Sequence, residues 1–165
     1  MNRLFIAMLR AGVVTAILLG LFGQIVVIPT AAADEVERFP PYAPFAAPYV
    51  TVAIVGVACV QVALIAVWML LAMVERDAIF TPLAFRWVDI ITGCSIVATL
   101  LAIGVTGHLL VASIPSPTDG MELIGATGAA LAGVAVGASF TMLTVIMRGL
   151  LSKAVDLQAE IATVV

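Results

Sequence analysis

The sequence predicts an all-α integral membrane protein: one domain of four transmembrane helices with both termini in the cytoplasm. Three observations carry that reading. Hydrophobic residues make up 64% of the 165-residue chain and charged residues 10%, with a mean hydropathy of +1.25. Soluble domains run at about 45–50% apolar and about 25% charged, so the solvent of this chain is largely lipid. Four long stretches are free of charge, Ala11–Ala33, Phe39–Val74, Ile90–Thr118 and Leu123–Met147. Each leaves the roughly 20 apolar residues that a hydrocarbon core of about 30 Å requires. The third observation is the placement of the basic residues. Arg3, Arg10, Arg76, Arg86, Arg148 and Lys153 fall on one side of the four spans and only Arg38 on the other. Lys and Arg are retained on the cytoplasmic side, which sets the orientation in the cell membrane.

The first helix is expected at about 5–28, ending where Pro29 interrupts it. The segment Pro29–Asp34 also resembles the small-residue site that follows a signal peptide. A signal core is typically about 7–15 residues, and the run Ala11–Ile28 exceeds it, so the helix is expected to be retained. The outer loop Pro29–Pro48 carries Pro40, Pro41, Pro44 and Pro48 interleaved with Phe39, Tyr42, Phe45 and Tyr49. Proline is expected to exclude regular helix there, and the rings suit the water–lipid interface as an aromatic belt or as a recognition surface.

Helix two is expected at about 50–74 and helix three at about 88–112. Between them, Thr81 is the expected N-cap and Pro82 the first helical residue, where a missing N–H is harmless. A short outer loop, Ser113–Gly120, leads to helix four at about 122–147, and residues 148–165 form a cytoplasmic tail. The outer loops hold Asp34, Glu35, Glu37, Asp119 and Glu122, so the net charge of −3 comes mostly from an acidic outer face. That excludes the basic patch a nucleic acid needs, and no direct nucleic-acid binding is expected.

Within a bilayer, helices pack by close approach, and small residues at four-residue spacing mark contact faces. Gly12, Ala16 and Gly20 form one such ridge. Gly125, Ala129, Gly133 and Gly137 form another. Both mark tightly packed helices, either against each other or across a homo-oligomer. Among the few polar residues of the spans, His108 lies about 12 Å outward of the midpoint of its helix and Gln24 at about the same depth. An interhelical hydrogen bond between the two is expected, with a ligand or pH-sensing role for His108 as the alternative. Cys59 and Cys94 are expected to differ in depth by about 13 Å, too far for a disulfide.

No ionisable residue sits near the midplane, which lowers the expectation of a coupled transporter. One His, no paired motif cysteines and no phosphate loop leave no catalytic, metal or cofactor set, so no enzyme is expected.

The charged turn leading into Ile79-Phe80-Thr81-Pro82, followed by Arg86 at the start of an apolar span, resembles the YoaS-like family of small four-span bacterial membrane proteins of unknown function. The tail from Met147-Arg148-Gly149-Leu150-Leu151 through Lys153, Leu157 and Glu160 is similar to the amphipathic tail of that family. Ala162 and Thr163 stand where further acidic residues are usual. Members are commonly encoded beside a small helix-turn-helix regulator, so the resemblance implies a membrane protein that holds such a partner. Phe80, Arg86, Lys153, Leu157 and Glu160 are the candidate contacts. The alternatives are a structural accessory subunit of a larger membrane complex and a small oligomeric transporter or channel.

Overall fold

The computed structural model describes residues 3–75, 82–115 and 120–164, and all described elements are helices or short connections. Helix α1 (Arg3–Phe22), a π turn (Gly23–Val27) and α2 (Ile28–Arg38) run on as one rod. The expected stop at residue 28 is therefore corrected. Pro29 lacks an N–H, and its ring would collide with the carbonyl four residues back, that of Ile25. The π turn ends two residues before Pro29, with Ile28 N–H bonded to Gly23 O, and widens the helix where that carbonyl lies. Thr30 Oγ1 then donates to Val26 O at 2.7 Å, a side-chain bond to its own helix in the turn that follows the proline.

The break comes at Phe39, at φ −140° and ψ 88°. Pro40 disfavours the helical region for the residue before it, so the chain turns at Phe39. A 3-10 turn (Pro40–Tyr42) leads directly into α3 (Ala43–Glu75). The expectation that proline keeps Pro29–Pro48 free of regular helix is likewise corrected. Pro44 lies in the first turn of α3, where a missing N–H removes no bond within the α-helix itself, and Pro48 forfeits a single bond. Helix α4 (Pro82–Val111) starts six residues before residue 88, with proline at its first position; Thr81, its expected cap, lies outside the described residues. Gly120, at φ +79°, makes the left-handed turn into α5 (Met121–Val164) and accepts the Ile124 N–H at 3.0 Å.

Among the described residues, four helices are long and apolar enough to cross a membrane, and the chain is a multi-pass membrane protein. They pack in chain order, α1 on α3, α3 on α4 and α4 on α5, with the closest packing in the last two pairs. α1 and α5 do not touch, so the expected packing of the first and fourth spans on each other does not occur within the chain. Side chains that are large, apolar and exposed, such as Leu110 (67%), Val136 (70%) and Met142 (69%), ring the bundle. In water such a surface would be untenable; in lipid it is the ordinary solvent contact. The buried hydroxyls are satisfied by their own helix. Buried Ser95, Thr106 and Thr144 donate to Thr92 O, Ala102 O and Thr141 O at 2.8, 2.8 and 2.9 Å.

Ion pairs close one end of the row, here called the lower end. Arg10 of α1 pairs with Glu75 of α3 and lies 5.4 Å from the Trp68 ring centroid. Arg148 of α5 pairs with Asp89 of α4. At about 1.5 Å per residue, α5 is about 66 Å long, about twice the hydrocarbon thickness, and it continues past Arg148 as helix for about 25 Å more.

Candidate functional site

The upper end gathers a cluster of polar and aromatic side chains able to recognise a ligand. Because α3 begins at Ala43, Tyr42, Phe45 and Tyr49 fall at i, i+3 and i+7 and line one face of its first turns. The last turn of α4 brings His108 against that face. Its Nδ1 is 2.8 Å from the Tyr49 hydroxyl, and the ring meets Tyr49 and Phe45 edge-on, with centroids 5.6 and 6.0 Å away. Either imidazole tautomer satisfies the bond, since the phenol can donate or accept.

Two turns from Tyr49, Tyr42 O–H donates to the Glu122 carboxylate of α5 at 3.4 Å. Behind this contact, α2, α3, α5 and the loop after α4 enclose a cavity of about 510 Å³, open to one side. Tyr42, Phe45 and Tyr49 give it aromatic walls, Val36 and Leu109 apolar ones, and Glu35 and Glu122 bring two carboxylates to it. Arg38 reaches Glu35 at 3.5 Å, but both side chains are more than half exposed, so that pair is weak.

The expected bond between Gln24 and His108 is not formed. Gln24, in the π turn, donates to Ile54 O of α3 at 3.0 Å, and His108 is held by Tyr49. Extension of α3 upward to Ala43 supplies the nearer partner. Cys59 and Cys94 are free and line one intramembrane cavity of about 310 Å³ between α3, α4 and α5. The expected 13 Å difference in depth is corrected, because the true helices extend beyond their apolar cores and both thiols lie near the helix centres.

Of the small residues, Gly137 lies against Thr99, Gly133 near Ala102, and Gly20 against the Gln61 amide. Gly12 and Gly125 have nothing within 4 Å where a Cβ would sit, and Ala16 and Ala129 are exposed. At the lower end Arg86, Lys153 and Leu157 are exposed. Phe80 lies outside the described residues, and Glu160 is placed in α5 by its backbone alone. The aromatic stripe on α3 escaped the sequence reading because the prolines hid its helical spacing.

No curated protein and no solved structure matches the chain. A family model described as "Protein of unknown function (DUF2975)" matches residues 30–165, from α2 through the end of α5. That match takes in all four helical spans at least in part, and the chain belongs to this family of unknown function.

Proposed function

We propose that the protein is a non-enzymatic regulator in the cell membrane that holds a soluble cytoplasmic protein, such as a small helix-turn-helix regulator, at its lower end. The observation that carries the reading is the unbroken run of α5 to Val164, well past its last span-like residues. A projecting helix offers a side for docking that a frayed tail would not. Six of the seven basic residues lie on this side, which supports a cytoplasmic location for both termini. Exposed Arg86, Lys153 and Leu157 are the contacts the partner would meet.

The test is co-purification in mild detergent with identification of the bound soluble proteins, among which a small helix-turn-helix regulator is expected. The full chain is expected to retain it, and a chain lacking Ser152–Val165 to lose it while still inserting in the membrane. Equal capture by the truncated chain would overturn the role of α5.

A second reading, an accessory subunit or homo-oligomer, is favoured by one observation. The upper part of the α5 ridge, Gly125, Gly128 and Ala129, is exposed and has open space around both glycines. A second membrane helix could approach there as closely as α4 does lower down. Purification as a stable complex of several membrane chains supports that reading; a chain monomeric at all detergent concentrations counts against it.

A further inference from the structure

The cavity at the upper end is independent of what the lower end holds, and its chemistry is specific enough to name a ligand class. Its volume of about 510 Å³ lies within the roughly 300–1,000 Å³ of small-molecule sites. Its walls are mostly apolar, which a small hydrophilic ion does not need and an organic body does.

Charge decides the rest. Glu35 and Glu122 line the cavity and no basic side chain does. Asp34 and Glu37 stand on the same α2 segment, against Arg38 as the one arginine or lysine at this end among the described residues. Glu122 gives part of its acceptor capacity to a long bond from Tyr42 and keeps the remainder. Tyr42, Phe45 and Tyr49 line the same space, and an aromatic ring attracts a cation placed over its face. No basic side chain lines the cavity to receive an anion, whereas a cation would meet Glu122 and Glu35.

We propose that this cavity binds a lipophilic organic cation, such as a quaternary ammonium or phosphonium compound or a protonated hydrophobic amine. Its charge faces Glu122 and Glu35, and its apolar body rests against Phe45, Tyr49 and Leu109.

Tetraphenylphosphonium is the probe, measured by equilibrium dialysis against the full chain in a non-ionic detergent with empty micelles as the blank. Saturable binding at one per chain is expected. Tetraphenylborate, of the same shape and opposite charge, is expected not to compete, and this comparison needs no variant. Glu122→Gln should weaken binding by about tenfold, because one charged contact in a partly dehydrated site is lost. Phe45→Leu should weaken it less, and Cys94→Ala, in the other cavity, should leave it unchanged. Uptake no greater than that of empty micelles, competition by tetraphenylborate as strong as by the cation itself, or weakening by Cys94→Ala without weakening by Glu122→Gln would each overturn the proposal.

Discussion

A single methyl group at Gly137 tests the packing of α5 on α4 directly. A Cβ built there meets Thr99 Oγ1 at well below contact distance and stands 3.3 Å from Thr99 Cβ and 3.5 Å from its Cα. The hydroxyl cannot swing aside freely, because it donates to Ser95 O at 2.7 Å. Backbone lies behind it, so relief requires the helices to separate. Overpacking of this kind costs about 1–3 kcal/mol. Alanine in place of glycine returns about 0.8–1 kcal/mol of helix propensity, which Gly125→Ala gains with no clash, since nothing lies within 4 Å of it.

Gly137→Ala is therefore expected to be less stable than Gly125→Ala by about 1–3 kcal/mol. At about 2–4 °C per kcal/mol for a chain of this size, thermal unfolding in detergent followed by helical circular dichroism resolves the difference. Thr99→Ala removes the clashing oxygen and should restore part of the loss in the double variant. Equal melting of Gly137→Ala and Gly125→Ala, or no restoration by Thr99→Ala, would refute the packing.

Two further variants probe the helix ends and the π turn. Arg148→Glu places like charges beside Asp89 and should lower stability by no more than about 1 kcal/mol, because both side chains are half exposed; adding Asp89→Lys should restore it in the same melting assay. Gln24→Leu removes the bond to Ile54 O and should cost about 0.5–1.5 kcal/mol, whereas Gln61→Leu, whose bond to Ile17 O is 3.5 Å long, should cost less.

Composition and charge spacing made the four apolar helices legible, because a bilayer leaves a chain few alternatives. Helix ends were less so, and the reason is proline. Its cost depends on position and on neighbours: Pro29 is tolerated through a π turn, Pro44 through its place in the first turn, and only the Pro40-Pro41 pair breaks the rod, at Phe39. Misplacing those ends had consequences for the site. With α3 starting near residue 50, Tyr42, Phe45 and Tyr49 read as interface anchors, and Gln24 was the nearest partner for His108. With α3 starting at Ala43, the same rings form one face over the cavity. The small-residue ridges marked α5 as a packing helix but could not name its partner, since spacing specifies a face and not what covers it. Glu122 carried no motif; only the fold brings it to Tyr42.

The proposed topology has the chain crossing the membrane four times, with the aromatic and acidic cavity outside and the end of α5 in the cytoplasm. Cysteine labelling in intact cells tests it. Cys59 and Cys94 are replaced, and single reporters are placed at Ser113, in the loop between α4 and α5, and at Ser152, an exposed position of α5 that leaves Arg148 and Lys153 in place. A membrane-impermeant maleimide should label the Ser113 reporter from outside and the Ser152 reporter only after permeabilisation. Labelling of both from the same side, or of the Ser152 reporter alone from outside, would contradict it.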